Sequence, residues 1–285
     1  MRKSVVSGVV AGAIASSVIG GVSAPAHAQD AVQWRVEDGG NGHWYALVIP
    51  AGKSLSWETA RSSAAESGGH LATLTSPAEN DFAFSVANSP VGWVVLNTIP
   101  PFCIGPWLGG YQPRNAIEPA GGWQWVTDEV WDWTNWWTPT NEPNDGCGGG
   151  EDYLHWLGQF VTTPQPSWND GGFPNPCSGP TPISYVIEWS ADCNSDGVVD
   201  FGQIRAGELD DANANNIPDC CEQGVACFCP DIDDNGNVDA IDLAIVIGYW
   251  GTNGGKEYPQ ADIDRSGDID AADLAALLGA WGPCE

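Results

Sequence analysis

Basic side chains are scarce in this sequence. Only 9 Lys and Arg stand against 37 Asp and Glu in 285 residues, which gives a formal net charge of −28. Because nucleic-acid phosphates and anionic membrane surfaces attract proteins through Lys and Arg, this balance argues against both kinds of partner. An acidic excess is typical of a chain that binds cations, although it also keeps a protein soluble through charge repulsion.

Long apolar runs are lacking beyond the first 30 residues. There, Arg2 and Lys3 precede a run of small apolar residues that leads to the A-x-A cleavage pattern Ala26-His27-Ala28. This arrangement predicts a secretory signal peptide over residues 1–28, with a single membrane anchor as the alternative. Later apolar stretches, such as residues 243–250, are too short to cross a bilayer. We therefore expect a secreted or extracellular protein, at the cell surface or in a periplasm, with no membrane span.

Catalytic motifs are also lacking. The sequence contains no G-x-S-x-G, no H-E-x-x-H and no P-loop, and its 4 His are scattered, one of them in the signal peptide. Paired carboxylates can hydrolyse glycosides, and carboxylates are abundant here. No particular pair, however, is marked by its surroundings for acid–base work. The sequence therefore predicts a protein that is not an enzyme.

The sequence contains 9 cysteines, all after residue 28. In an oxidising compartment they should form disulfides, and the odd count leaves one thiol without a partner in the chain. The cluster CCEQGVACFC at 220–229 is an alternative zinc site, but no His lies near it and its spacing is not C-x-x-C. Disulfides are therefore the preferred interpretation, with the pairing after residue 190 left open.

Composition divides the chain near residue 190. The segment before this point holds 14 of the 16 tryptophans, whereas residues 191–285 hold 20 acidic residues and three basic ones. We expect a signal peptide at 1–28, a first domain at 34–190, a cysteine-linked spacer of calcium repeats at 191–229 and a repeat pair at 230–285.

The C-terminal repeats, at 231–251 and 262–282, align without gaps 31 residues apart. Each has oxygen-bearing side chains at loop positions 1, 3, 5, 9 and 12, a glycine at position 6 and an apolar segment afterwards, which is the pattern of an EF-hand calcium loop. Val238 and Ile269 stand at position 8, where paired loops form a short β contact. The predicted ligands are Asp231, Asp233, Asn235, Asn237, Asp239 and Asp242 in the first loop and Asp262, Asp264, Ser266, Asp268, Asp270 and Asp273 in the second, where position 7 ligates through its carbonyl.

This pair resembles a type I dockerin, in which each calcium loop is followed by one helix and ends in Asp at position 12. The resemblance covers residues 231–282 and implies bound Ca²⁺ and a cohesin-like protein partner. Dockerins usually present Ser-Thr-like pairs at positions 10 and 11, whereas this sequence has Ala240-Ile241 and Ala271-Ala272. The departure concerns the partner and leaves the calcium ligands intact.

A weaker pair of calcium repeats precedes the dockerin-like pair. It resembles thrombospondin type 3 repeats or bacterial EF-hand linkers, although Gln203 stands at position 12 of its first loop. The alternative is a stiff, cysteine-tied spacer that binds no metal. The predicted ligands are Asp192, Asn194, Asp196 and Asp200 in one loop and Asp211, Asn213, Asn215, Asp219 and Glu222 in the other.

The first domain shows strand and helix signals in succession. Residues 42–50 alternate as a strand does, and helices are predicted from Trp57 to about Ser67 and from Pro77 onward, capped by Ser56 and Ser76. Strand-like segments follow at 107–112, 121–136 and 184–190. Two early helices followed by strands and long loops predict an α+β domain, with Trp107, Trp123 and Trp125 as packing residues.

The order of motifs in this domain resembles a C-type lectin-like domain. W-L-G at 107–109, E-P-N at 142–144, E-D at 151–152, W-N-D at 168–170 and Y-V-I-E at 185–188 follow one another as in that family. The family's long disulfide is missing, because Ala64 or Ala65 and Ile187 stand where its cysteines would be. The resemblance implies a Cys147–Cys177 bridge and leaves Cys103 as the candidate free thiol.

The resemblance also implies a calcium site that binds sugar. An ion held by three carboxylates and two amides can accept two vicinal hydroxyls of a glycan, and E-P-N favours mannose, GlcNAc, glucose or fucose-type diols over galactose. Pro143 is expected to follow a cis peptide bond. The alternatives are an adhesion protein that uses the same fold for protein contacts, or a scaffold component tethered by its dockerin-like tail. The implied calcium and sugar ligands are Glu142, Asn144, Glu151, Asn169 and Asp170.

Overall fold

The structure is a computed structural model that describes residues 31–52, 54–146, 149–174, 179–194, 196–224, 227, 229–252, 258–263 and 266–284. The signal peptide, the Cys147–Cys177 bridge and the predicted ligand Asp264 lie outside the described residues. Within them, the search for a helix long and apolar enough to cross a bilayer finds none.

The chain forms eleven strands and six helices within the described residues, together with short 3-10 turns. The strands are β1 (Val32–Gln33), β2 (Trp44–Val48), β3 (His70–Leu71), β4 (Val94–Leu96), β5 (Phe102–Tyr111), β6 (Gln124–Trp125), β7 (Tyr153–Gln159), β8 (Trp168–Gly171), β9 (Tyr185–Trp189), β10 (Asn237–Val238) and β11 (Gly282–Pro283). The helices are α1 (Trp57–Glu66), α2 (Pro77–Ala87), α3 (Asp200–Ala206), α4 (Asp219–Gln223), α5 (Ala240–Gly248) and α6 (Ala271–Gly279).

Nine strands of the first domain form one sheet in the order β1-β2-β9-β5-β7-β8, with β3 added to β9 and with β4 and β6 added to β5. All pairings are antiparallel except the contact between β5 and β9, where Trp107 is level with Tyr185. The predicted α+β class is confirmed. The sequence analysis proposed one long strand-like segment at 121–136, whereas only Gln124–Trp125 pairs as a strand.

The two early helices begin where the sequence places their caps. The Ser56 hydroxyl accepts the backbone N–H of Thr59 at 3.0 Å, and the Ser76 hydroxyl accepts that of Glu79 at 3.2 Å. Each bond satisfies one of the four N–H groups that a helix start leaves without an internal partner. The predicted helix starts are therefore confirmed, and α1 ends one residue before the predicted Ser67.

Tryptophan side chains make up much of the main core. Trp107, Trp123 and Trp125 are buried, as predicted, and Trp156 and Trp168 are fully buried beside them. The buried amide of Asn80 on α2 joins this cluster to the helix, because its Oδ1 accepts both the Trp156 indole N–H at 3.1 Å and the Trp168 indole N–H at 2.8 Å. One amide thus satisfies two buried donors that nothing apolar could satisfy.

A second buried polar group ties α2 to the central strands. Glu188 on β9 accepts the backbone N–H of Thr73 at 2.8 Å, and its other oxygen lies 2.6 Å from Nδ1 of His43. Tyr45 donates to Glu79 on α2 at 2.8 Å and reaches Glu188 at 3.1 Å. Burial opposes the charge on Glu188, but the hydrogen bond from His43 and the other donors outweigh it and lower the pKa of this carboxyl.

The first calcium repeat packs onto the sheet of the first domain. The ring of Phe201 on α3 stacks on Trp189 of β9 with centroids 4.1 Å apart, and it meets Trp44 of β2 edge-on at 5.5 Å. The guanidinium of Arg205 lies over the same two rings, Trp44 and Phe201. The second repeat touches the domain through Asn216, whose amide donates to the Ser67 carbonyl at 3.1 Å. The predicted spacer is therefore packed against the first domain.

Three disulfides link six cysteines of the second half. Cys193 pairs with Cys221, Cys220 with Cys227 and Cys229 with Cys284, so the pairing that the sequence left open is resolved in favour of disulfides. Cys103 is free and buried on β5, as predicted for the unpaired thiol. Burial raises the pKa of its thiol to about 11, which keeps it protonated and unreactive near neutral pH.

We predict that Asn80→Leu destabilises the protein by roughly 2–6 kcal/mol, because it leaves two buried indole N–H groups without acceptors at about 1–3 kcal/mol each. Denaturant unfolding followed by tryptophan fluorescence measures the effect. Asn115→Leu, at an exposed turn, is the matched control and should leave the midpoint unchanged. Equal midpoints for the two variants would show that Asn80 is not the anchor of α2.

Candidate calcium sites

Strand β8 positions the last two predicted ligands of the first domain. Antiparallel pairing sets Trp168, Asn169 and Asp170 level with Trp156, His155 and Leu154 of β7. Because side chains alternate along a strand, Trp168 and Asp170 point to one face and Asn169 to the other. Trp168 is packed among four other tryptophan rings, so its own ring holds the strand that carries both ligands.

The carboxylate of Asp170 joins the acidic loop to this strand. It accepts the backbone N–H of Asn144 at 3.0 Å and that of Asp145 at 2.7 Å. Bonds from backbone N–H groups to a charged acceptor are among the stronger hydrogen bonds of proteins. They place the loop residue Asn144 beside β8, 26 residues further along the chain.

Glu151 returns to the same loop across the glycine-rich segment. Its Oε2 accepts the backbone N–H of Gly146 at 2.5 Å. A methyl group added at Gly146 would lie 2.8 Å from Oε2 of Glu151 and 3.0 Å from Oδ1 of Asn144, so both ligand oxygens border the same point. The one-residue insertion before Glu151 therefore leaves its carboxylate within reach of the loop.

Glu142 provides a buried carboxylate oxygen with no donor. The Glu142–Pro143 peptide bond is cis, as expected from the E-P-N motif. Oε1 of Glu142 accepts the Thr140 hydroxyl at 2.6 Å, whereas Oε2 is buried without a hydrogen-bond partner among the described residues. A buried carboxylate oxygen in this state costs free energy unless a proton or a cation neutralises it.

Like charges surround that oxygen. Burial, and then the nearby Asp170 and Glu151, raise the pKa of Glu142 to about 8. Burial, and then Asp170 and Asp145, raise the pKa of Glu151 to about 7. Burial raises the pKa of Asp170 as well. Several desolvated carboxyls with too few donors are the electrostatic arrangement that a divalent cation relieves.

Asn169 lies on the opposite face of β8, beside a histidine that the sequence analysis did not single out. Nδ1 of His155 lies 2.7 Å from the Trp156 carbonyl, and burial lowers the pKa of this imidazole to about 4. The ring is therefore neutral, with Nδ1 donating to that carbonyl and Nε2 accepting from Nδ2 of Asn169 at 3.1 Å. This tautomer turns the amide so that its oxygen is left for a ligand.

Four of the five predicted ligands line one cavity of about 550 Å³: Glu142, Asn144, Glu151 and Asn169. Asp170, the fifth, is only 1% exposed and is held beneath the loop by the N–H groups of Asn144 and Asp145. The structure therefore brings all five residues of two distant segments into one region. Sequence reasoning missed Thr140 and His155, which carry no motif of their own and act through contacts made by the fold.

The two C-terminal loops have the same internal bonds. At position 12, Oδ1 of Asp242 accepts the N–H of Ile232 at 2.6 Å, and Oδ1 of Asp273 accepts that of Ile263 at 2.6 Å. Their second oxygens accept the N–H groups of Asp239 and Asp270 at 2.8 Å, which completes a capping box at the start of α5 and of α6. In the first loop, carboxylate oxygens of Asp231, Asp233 and Asp242 lie within 4.8 Å of one another.

The expected β contact between the two loops takes a different form. Val238 pairs with Gly282, beyond α6, and Ile269 exchanges backbone bonds with Gly251 and Thr252, beyond α5. Each position 8 therefore pairs with the chain that follows the other repeat's helix. This reciprocal exchange buries Val238 and Ile269 in one small core between the helices.

The earlier repeats close their loops at position 9. Asp200 accepts the N–H of Cys193 at 3.0 Å, and Asp219 accepts that of Ala212 at 3.1 Å. Other predicted ligands of these loops bond to one another: the Gln203 amide donates to Asp196 at 2.7 Å, and Glu222 accepts from the amides of Asn213 and Asn215. Asp192 and Asp211 accept backbone N–H groups of their own loops.

Comparison with known protein families matches residues 230–279 to the Dockerin type I domain. The dockerin that the repeats predicted at the C-terminal end is thereby confirmed. A search of curated proteins gives no match to the sequence.

Solved structures similar to the chain include C-type lectin domains and antifreeze proteins. The cow C-type carbohydrate-recognition domain of CD23 shows 21% identity, covers 58% of this chain and 96% of its own, and gives a TM-score of 0.39. Herring type II antifreeze protein shows 16% identity over 57% of this chain and 98% of its own, with a TM-score of 0.38. A C-type lectin of Cucumaria echinata shows 16% identity over 53% and 92%, with a TM-score of 0.37.

We predict that Asp170→Asn removes one calcium site from the protein. The amide can accept fewer of the loop N–H bonds and has no charge, so calcium affinity should fall at least tenfold, which is about 1.4 kcal/mol. Calorimetric titration should then show one bound Ca²⁺ fewer per chain at a concentration that saturates the unaltered protein. Asp132→Asn removes an exposed charge from the same region and should keep the full number. Identical titrations of the two variants would rule out a site at Asp170.

Within the first C-terminal loop, Asp233→Asn and Asp234→Asn form a matched pair. Both remove one negative charge, but only Asp233 stands at a ligand position. We predict that Asp233→Asn weakens calcium binding to that loop about tenfold or more, whereas Asp234→Asn changes it by less than about threefold. Calcium titration of the full chain, followed by far-UV circular dichroism, distinguishes the two. Equal losses would indicate that only the overall charge of the loop matters.

Proposed function

We propose that this is a secreted, calcium-dependent carbohydrate-binding protein whose dockerin tail attaches it to a protein partner. The observation that carries the proposal is the buried Oε2 of Glu142, which has no donor among the described residues and faces the carboxyls of Asp170 and Glu151. A cation at this point would compensate all three carboxylates. The motif resemblance supplies the expectation that the cation also binds sugar.

The donor set fits Ca²⁺. Glu142, Glu151 and Asp170 offer carboxylate oxygens, and Asn144 and Asn169 offer amide oxygens. Ca²⁺ takes 6–8 oxygen ligands in flexible geometry, whereas Zn²⁺ prefers nitrogen and sulfur, and the only nearby imidazole already accepts the Asn169 amide. Bound Ca²⁺ would supply coordination positions for two vicinal hydroxyls, and the ligand side chains would hydrogen-bond the same hydroxyls.

We infer mannose, GlcNAc, glucose or fucose-type ligands, because the loop reads Glu-Pro-Asn at 142–144. A single site of this kind binds weakly, with a dissociation constant on the order of millimolar. Useful retention then depends on several sites acting together, which tethering several copies through their tails would provide.

The tail is proposed as the attachment module, with a protein rather than a glycan as its partner. Its repeats expose apolar side chains at equivalent positions 31 residues apart: Ile247 with Leu278, and Trp250 with Trp281, each about half exposed. Exposed apolar pairs on neighbouring helices are typical of a protein-binding surface. Ala240-Ile241 and Ala271-Ala272 make this surface more apolar than that of dockerins with Ser-Thr pairs, so we infer an apolar partner surface.

The test is a glycan array probed with the secreted protein in calcium and again in EDTA. We predict binding to mannose-type glycans that EDTA abolishes, and that the double variant Glu142→Gln/Asn144→Asp loses. Asp132→Asn is the charge control and should bind as the unaltered protein does. A folded protein that gives no sugar signal in calcium would refute the carbohydrate proposal and favour an adhesion protein.

A further inference from the structure

We propose that the preferred ligand is an amphiphilic glycoside, a neutral sugar carrying an alkyl or acyl chain, and that the chain lies on an apolar floor beside the calcium site. This inference rests on the proposed function, because the sugar is placed by the calcium ligands. It adds a second recognition surface, formed by the face of the sheet that points away from the tryptophan core.

The floor is one face of four adjacent strands. Leu96 of β4 pairs with Phe102 of β5, Ile104 of β5 pairs with Leu157 of β7, and Asn169 of β8 pairs with His155 of β7. By alternation, Cys103 and Trp156, the neighbours of these residues along their strands, point to the opposite face, and both belong to the tryptophan core. The residues on the cavity side therefore form a continuous row from a predicted calcium ligand to Leu96.

The row is long enough for a sugar and a chain. Adjacent strands lie about 4.8 Å apart, so β8 and β4 are separated by three spacings, or about 14 Å. A hexose occupies the end at Asn169, and the remainder of the row accommodates several methylene groups. The same cavity of about 550 Å³ borders Glu142 and Asn144 at one end and Leu96 and Ile99 at the other.

The far end of the cavity exposes apolar surface that a chain would cover. Ile99 is fully exposed, and it lines the cavity next to Pro100 and Phe102. Burial of apolar surface contributes about 0.8 kcal/mol per methylene group. On the side of β8, Gly171 keeps the floor low, because a methyl group there would come within 2.8 Å of the His155 ring.

The charge of the lining selects a neutral headgroup. Glu142 and Glu151 are acidic, and none of the described residues that line the cavity is Lys or Arg. Phosphate and sulfate groups need such donors and would be repelled by a chain of net charge −28. The chemistry therefore fits an uncharged glycoside or acylated sugar rather than a phosphorylated or sulfated one.

The test compares methyl α-D-mannopyranoside with octyl α-D-mannopyranoside, below the micelle concentration, by calorimetry with the full chain in calcium. Both probes present the same diol, and only the chain differs. We expect the octyl compound to bind at least tenfold more tightly, which requires about two buried methylene groups. EDTA should abolish the binding of both, since the sugar positions the chain.

Two variants in β4 separate the floor from general apolar surface. Leu96→Ser should remove most of the octyl advantage and leave the methyl compound unchanged, whereas Val95→Ser, at the neighbouring residue on the other face, should leave both unchanged. Ile99→Ser, at a fully exposed residue, repeats the test without risk to folding.

The outcomes distinguish this inference from the proposed function. Equal affinities for the methyl and octyl compounds, with calcium dependence, would overturn the apolar floor and leave the lectin proposal intact. Octyl binding that is insensitive to EDTA, or equal for octyl β-D-galactopyranoside, would overturn a joint site. Failure of every sugar probe in calcium would remove both proposals together.

Discussion

The carboxylate of Asp170 is the contact on which the candidate site depends. It is carried by a strand whose Trp168 ring is locked among other tryptophans, and it accepts two N–H groups of a loop 26 residues earlier. The tryptophan core therefore determines the position of an acidic loop that has no apolar residue of its own. Without this bond, nothing in the loop sequence would bring Glu142 and Asn144 to β8.

The acidic loop and the aromatic wall beside it are parts of one solution to an electrostatic problem. Carboxylates that converge in a desolvated place repel one another, and backbone N–H donors offset only part of that repulsion. The N–H groups of Asn144, Asp145 and Gly146 stabilise Asp170 and Glu151, and Oε2 of Glu142 is the atom for which they leave no donor. A cation is the component that would complete the balance.

Local signals in the sequence predicted much of this structure. Ser56 and Ser76 marked two helix starts, the gapless repeats marked the dockerin, and E-P-N with W-N-D named the five residues that meet. Features that depend on strand register could not be found in this way. His155, the pairing of Leu96 with Phe102 and the stacking of Phe201 on Trp189 arise from contacts between distant segments, and no local pattern encodes them.

The calcium loops of the second half share a device but differ in where they apply it. In the dockerin loops the N–H at position 2 is accepted by the carboxylate at position 12, as with Ile232 and Asp242. In the earlier repeats the same N–H is accepted at position 9, as with Cys193 and Asp200, and α3 begins at that residue. Alignment to the EF-hand pattern therefore assigns the wrong closing residue to the earlier loops. A loop closed after nine residues places its ligands on a tighter ring than one closed after twelve, so the two pairs of repeats present different cages to the same ion. Because α3 also packs on Trp189, occupancy of the earlier pair acts on the first domain, whereas the dockerin pair buries its apolar residues in a core of its own.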